Sequence, residues 1–217
     1  NDARVCIKWI NSEELVSDEE CKKQLSDVDG ILVLPGFGDR GTEGKILAGK
    51  YAREKKVPYL GICLGLQTAV IEFARHVCGL KKATSTEFKK RASEPVIDLM
   101  DGQKKVKRKG ATMRLGAYAC EVKSGTKTYK AYRKKMVSER HRHRYEVNNK
   151  FRKVLEKHGM ILSGINPDLN LVEIIELPNH PWFVASQFHP ELKSRVNRAH
   201  PLFRDFVKAA VTHNNSQ

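Results

Sequence analysis

The sequence predicts an α/β fold of three layers, a mostly parallel central sheet flanked by helices. Three observations carry that expectation. Short apolar runs closed by glycine or proline alternate with stretches of helical period through the first half of the chain. One run, at 58–62, passes through Gly61-Ile62-Cys63-Leu64-Gly65 directly into a helical pattern. The 217 residues, 40% apolar and 30% charged, suit one globular domain spanning 1–217. A domain of this size buries roughly 70% of the surface its unfolded chain exposes, so it needs no covalent staple.

The elements follow in order. Residues 4–10 read as a strand, with Val5, Ile7 and Trp9 on alternate positions. Residues 29–34 are an apolar run ending at Pro35-Gly36, the pattern of a buried parallel strand feeding a glycine turn. Residues 42–56 read as a helix with Ile46, Leu47 and Tyr51 on one side, and 58–62 as the next strand. Residues 64–77 form a helix through Leu66, Val70, Phe73 and Val77. Residues 89–110 read as irregular and basic. Further strands are expected at 113–122, 171–177 and 182–188, and a closing helix at 201–213.

Composition excludes several classes. No apolar run approaches the ~20 residues of a membrane span, and no secretory signal pattern is found. A soluble, cytoplasmic protein without membrane contact is expected. The five cysteines are odd in number and include no C-x-x-C pair, which argues against a disulfide framework and against a zinc site. The chain carries 40 Lys+Arg against 25 Asp+Glu, a formal charge of +15. Residues 81–135 hold 17 basic and 5 acidic side chains, densest at 104–109. Such a run reads first as a solvated face or loop. A basic nucleic-acid-binding domain is the non-enzyme alternative. Aromatics are scarce there, so no base-stacking platform is evident and no specific nucleic acid is expected.

The strand–turn–helix at 61–65 resembles a nucleophile elbow with cysteine as the nucleophile. Gly61 and Gly65 leave room for a cramped turn. Cys63 would then project from the carboxyl edge of the sheet, at a helix N-terminus whose partial positive charge favours thiolate. A buried core cysteine is the competing reading, and it is the better one for Cys6, Cys21, Cys78 and Cys120. A thiol nucleophile wants a base and a group to orient that base. Of the eight histidines, His189 stands at the end of an apolar strand with Glu191 two residues on, close enough to fix its tautomer. The amides of Leu64 and Gly36 are the candidate donors for a developing oxyanion. No Gly-Lys-Ser/Thr follows Pro35-Gly36-Phe37-Gly38, which excludes a nucleotide-binding phosphate loop.

Taken together, seven stretches resemble the C-terminal class I glutamine amidotransferase domain of the CTP synthase family, over roughly residues 3–210. They are Pro-Gly-Phe-Gly at 35–38, Arg-Gly-Thr-Glu-Gly-Lys at 40–45, Gly-Ile-Cys-Leu-Gly-Leu-Gln at 61–67, Ser-Thr-Glu-Phe at 85–88, Thr-Met-Arg-Leu-Gly at 112–116, Glu-Arg-His-Arg-His-Arg-Tyr-Glu-Val-Asn at 139–148 and Gln-Phe-His-Pro-Glu at 187–191. The elbow and His-Pro-Glu are common to the whole amidotransferase class, while 40–45, 85–88 and 139–148 point to the CTP synthase branch. Another class I amidotransferase or a γ-glutamyl hydrolase is the enzyme alternative, and the stretch 140–148 argues against both.

The resemblance implies a glutaminase with a Cys63, His189 and Glu191 triad and an oxyanion hole from Gly36 and Leu64. L-glutamine would be bound by Gly36, Leu64, Gln67, Glu87 and Arg144, with Tyr145 alongside. Glutamate would form through a cysteinyl thioester, without a cofactor or metal. The ammonia would pass to an N-terminal synthetase domain, absent from this chain, where ATP and Mg drive amination of UTP to CTP. GTP would be the allosteric activator, with Arg114 on a lid at a position linked to that activation. The full-length enzyme is expected to be a homotetramer, and the isolated domain a monomer or weak dimer. The chain departs from the family pattern in four places. Pro35 replaces a glycine and removes an amide hydrogen, the strand and helix expected upstream of residues 4–10 are not found in this sequence, the loop between 85–88 and 112–116 is shorter than expected, and no proline follows Glu191 closely.

Overall fold

The computed structural model describes residues 1–99 and 113–215. Ten strands and six α-helices are found among them. In chain order they are α1 (Asp18–Leu25), β1 (Ile31–Val33), α2 (Thr42–Lys55), β2 (Tyr59–Ile62), α3 (Leu64–His76), β3 (Ala83–Ser85), β4 (Glu94–Leu99), β5 (Arg114–Val122), α4 (Lys127–Tyr132), β6 (Met136–His143), β7 (Tyr145–Val147), α5 (Arg152–Lys157), β8 (Ile161–Asn166), β9 (Leu171–Glu176), β10 (Phe183–Ser186) and α6 (Pro201–Asn214).

Seven strands form the central sheet in the order β1-β2-β10-β9-β8-β5-β6. Pairing is parallel from β1 through β2 to β10 and antiparallel from β10 to β6. The sheet is thus mixed, with its parallel part at the end that carries Cys63. The parallel strands are buried on both faces, so β2 and β10 read as unbroken apolar runs. Alternate residues then serve opposite layers. Tyr59, Phe183 and Ala185 pack with α1, α2 and α3, while Leu60 and Val184 pack with Trp182, Phe188 and Leu202 under α6. The Tyr59 and Phe183 rings stack at 4.3 Å. A second sheet, β3-β4-β7, lies against α3, so that α3 is buried along nearly its whole length.

Several expectations need correction. Residues 4–10 form no strand. Val5, Ile7 and Trp9 are exposed, the segment pairs with no strand among the described residues, and Lys8 is instead held by Asp27 at 2.7 Å. Apolar alternation reports a strand only where a partner edge exists to pair with it. Residues 94–99, expected to be irregular, are β4, held between β3 and β7. The basic run at 104–109 lies outside the described residues. Helix α1 follows from Ser17, whose hydroxyl accepts the Glu20 amide at 3.2 Å, a cap followed by an acidic first turn.

Candidate active site

Cys63 sits between β2 and α3 with φ 54° and ψ −101°, a left-handed conformation that L-residues rarely adopt. What holds it there is close packing on both sides. A Cβ at Gly61 would lie 2.6 Å from the Gly65 carbonyl oxygen, and one at Gly65 would lie 2.4 Å from the Val33 carbonyl oxygen. The Cys63 amide donates to the Ser186 carbonyl at 2.7 Å, which ties the elbow to β10. Cys63 is buried. Burial pushes its thiol up to about 12, opposed by the Leu64 amide that faces the sulfur. The thiolate favoured by a helix N-terminus is therefore not the resting form. Loss of hydration outweighs a dipole worth up to ~2 kcal/mol.

His189 follows β10 and is buried. Its amide donates to the Arg140 carbonyl at 2.8 Å, and its Nδ1 lies 2.6 Å from Glu191 Oε1. A carboxylate accepts, so Nδ1 carries the hydrogen and Nε2 keeps a lone pair. That Nε2 is buried and has no hydrogen-bond partner among the described residues. A buried, unpartnered basic nitrogen costs stability unless something arrives to use it.

One small pocket is lined by Gly36, Phe37, Cys63, Gln67, Glu87, His143, Arg144 and Tyr145. Six of the residues singled out from the sequence thus meet there. Leu64 lies against Gly36, since a Cβ at Gly36 would touch Leu64 Cδ2 at 3.1 Å. Glu87 Oε1 accepts the Gly38 amide at 2.9 Å, where Gly38 turns with φ +75°. Burial raises the Glu87 carboxyl, opposed by that amide and by Arg144. No ion pair joins Glu87 to Arg144, and Arg144 Nε is buried without a partner among the described residues. The pocket therefore offers one anionic and one cationic group that do not cancel each other. Gln67 Nε2 donates to the Tyr145 carbonyl at 3.1 Å and faces Gln187 Oε1 at 3.4 Å.

Phe37 and His143 were not singled out by sequence reasoning. Both fall inside quoted stretches, and the signal for His143 was its alternation with Glu139 and His141 on one face of β6. Arg114 is misplaced by the lid expectation. It opens β5, is buried, and its Nη1 and Nη2 are held by Glu146 at 3.1 Å and Glu173 at 2.8 Å. Each terminal nitrogen gives one of its two hydrogens to a buried carboxylate, and Nε is buried without a partner among the described residues, so burial keeps the group from a ligand in solvent. Among the described residues no group of three His, Cys, Asp or Glu side chains is arranged to hold a metal, and no helix is long and apolar enough to cross a membrane.

The sequence matches the family described as glutamine amidotransferase class-I over residues 1–209. It is 57% identical to a CTP synthase of Trichlorobacter lovleyi over all of this chain, and 59% identical to a CTP synthase of Carboxydothermus hydrogenoformans over 99% of it. The chain spans 40% of the length of each of these relatives. The structure superposes with a TM-score of 0.90 on the Trypanosoma brucei CTPS glutaminase domain with bound acivicin, at 38% identity, covering 97% of this chain and 82% of that one.

Proposed function

The chain belongs to the class I glutamine amidotransferases, in the branch of the CTP synthase glutaminase domains, and from that membership we propose that the pocket at Cys63 hydrolyses L-glutamine to glutamate and ammonia. The substrate's ammonium faces Glu87 and its α-carboxylate faces Arg144, which brings the side-chain amide to Cys63. Cys63 Sγ attacks the amide carbon while its proton passes to His189 Nε2. The oxyanion is taken up by the amides of Leu64 and Gly36. His189 returns the proton to the departing ammonia, leaving a glutamyl thioester. Water, deprotonated by His189, then releases glutamate and the free thiol. Glu191 keeps the imidazole in the tautomer that both steps need.

One observation supports this reading above the rest. A buried nitrogen with a free lone pair, His189 Nε2, and a strained buried thiol, Cys63, are tied to the same strand, one at its end and one through the Ser186 carbonyl. For the whole protein, the proposal continues to a synthetase domain that uses ATP, Mg and UTP to make CTP, with GTP as activator and a homotetrameric assembly. Within it, Arg114 would act through its buried carboxylates and not by touching GTP.

The test is glutamate release from glutamine, beside Cys63→Ala, with and without GTP. Release that vanishes in the variant and rises with GTP is expected. Release that persists in Cys63→Ala would overturn the thiol mechanism. In a protein that turns over slowly, acivicin, the ligand of the trypanosomal relative, is expected to add once, to Cys63.

A further inference from the structure

Behind the pocket lies a buried polar row that the hydrolysis does not consume. His143 Nδ1 faces the Tyr145 carbonyl at 3.1 Å, His143 Nε2 faces His141 Nδ1 at 2.8 Å, and His141 Nε2 faces Glu173 Oε2 at 3.4 Å. The first two contacts are hydrogen bonds, whereas His141 Nε2 and Glu173 Oε2 face each other with no hydrogen-bond partner of their own among the described residues. Closing the third contact as well takes three hydrogens. Two neutral imidazoles bring two, and the carbonyl at the far end can only accept. A third is therefore required, whichever tautomers are chosen.

Charge balance asks for the same proton. The groups facing the row are Arg114, Tyr118 and Cys120 of β5, Glu146 of β7, and the pocket's Cys63 and His189. Arg114 is one buried cation between two buried carboxylates, Glu146 and Glu173. One added proton makes the cluster neutral, and a net buried charge is expensive. Geometry decides where that proton sits. Glu173 Oε2 is free of Arg114 and has His141 Nε2 opposite it, whereas Glu146 Oε2 faces no acceptor and Glu146 Oε1, 3.5 Å from His143 Nδ1, already accepts from Arg114. Burial pushes both carboxyls up, and a charged Glu173 adds to the rise at Glu146, so a proton on Glu173 removes that part. Burial holds His141 and His143 well below their usual value.

We propose that Glu173 is a positioning residue for the glutamine pocket, holding a proton against His141 so that His143 keeps a hydrogen on the Tyr145 carbonyl that also anchors Gln67. This inference rests on the glutaminase reading above. When the proton leaves to solvent, the carboxylate is the strongest acceptor in the row and draws a hydrogen to itself. His141 then donates from Nε2 and His143 from Nε2. The deficit appears at the other end, where His143 Nδ1 meets the Tyr145 carbonyl as two lone pairs. A proton lost at Glu173 is thereby felt at Gln67, which receives the substrate.

In the protein as its host makes it, KM for glutamine is expected to rise roughly tenfold between pH 7 and 9 with a smaller change in kcat. Glu173→Gln supplies the hydrogen from its amide at every pH, so it should abolish that rise. Infrared spectroscopy should show a buried protonated carboxyl band at pH 6 that is gone by pH 9 and is absent in Glu173→Gln. A band that survives Glu173→Gln would overturn the proposal, as would an unchanged KM profile in that variant. Should Glu173→Gln not fold, nitrogen-15 shifts of the wild-type rings decide. Both rings should carry hydrogen on Nδ1 at pH 6 and on Nε2 at pH 9, and tautomers that do not change would sink the idea. The spectroscopic readouts need no turnover. A protein that hydrolyses no glutamine would thus defeat the functional reading while leaving them to decide this one.

Discussion

At the scale of single residues, the thiol of Cys63 is a contest between a helix dipole and burial, and burial wins. With its thiol pushed up to about 12, Cys63 holds about one part in ten thousand as thiolate at pH 8. Cys6 is exposed and free. Mass-mapped alkylation by iodoacetamide at pH 8 should therefore label Cys6 well before Cys63, whereas acivicin should label Cys63 and lose that reaction in His189→Ala. Faster iodoacetamide labelling at Cys63 than at Cys6 would mean a preformed thiolate. The elbow at Cys63 was legible in the sequence because its turn needs Gly61 and Gly65, and the pairing of His189 with Glu191 because the two stand two residues apart. Glu173 and His143 were not. Their roles come from what faces them across β6, β7 and β9, and no local pattern reports that. Arg114 was misread for the same reason, since only Glu146 and Glu173 make its burial tolerable.

At the scale of elements, α3 is placed by glycine on β1. Gly65→Ala would put a methyl 2.4 Å from the Val33 carbonyl oxygen. The helix must then back away and carry Cys63 with it. The expected loss is about 1–3 kcal/mol of stability by overpacking and about 100-fold in kcat, the scale of a 1 Å misplacement. Gly49, inside α2, is the control. A Cβ there meets nothing nearer than 3.9 Å, so Gly49→Ala should stabilise by about 0.5–1 kcal/mol and leave glutamate release alone. Equal effects of the two substitutions, read by urea denaturation and by kcat, would refute the packing argument. The parallel core β1, α2, β2, α3 and β10 was legible because double burial produces apolar runs and helical periods. The antiparallel half was less so. Strand β6 buries Glu139, His141 and His143 and exposes Arg140 and Arg142, so its alternation is real but contains no hydrophobic signal. Residues 4–10 fail in the opposite sense, with apolar alternation and no partner edge.

At the scale of the whole molecule, the buried titratable groups set the pH of greatest stability, and the net charge of +15 does not. Burial holds His141, His143 and His180 neutral far below their ordinary value of 6.5, at about 2, 3 and 4. His180 shows why. Its Nε2 faces the Ala52 carbonyl at 2.9 Å and its Nδ1 accepts the Trp182 amide, so neither nitrogen is free for a further proton. Below pH 6.5 the unfolded chain binds up to three protons that the folded chain refuses, and stability falls on acidification. Glu146 and Glu173 act in the other direction. Burial raises both from 4.5, to about 8 and 7, and as a coupled pair on one Arg114 they hold one proton between them, so the stability it adds is complete below 4.5 and is lost as the pH climbs from 7 to 8. Between 4.5 and 6.5 three histidines oppose that one proton, and the histidines prevail until close to pH 6.5. Above 6.5 the histidines are neutral in both states and only the carboxyls count. Stability should thus rise with pH up to about 6.5 and decline from there to about 8, at roughly 1.4 kcal/mol per pH unit for each unmatched proton. Urea denaturation from pH 4.5 to 9 reads this directly. Glu173→Gln removes one of the two carboxyls and should flatten the alkaline side while steepening nothing on it. A curve that keeps rising from pH 6.5 to 8 would mean that Glu146 and Glu173 are both ionised in the folded protein. The buried proton that the row behind the pocket requires would then have no carrier.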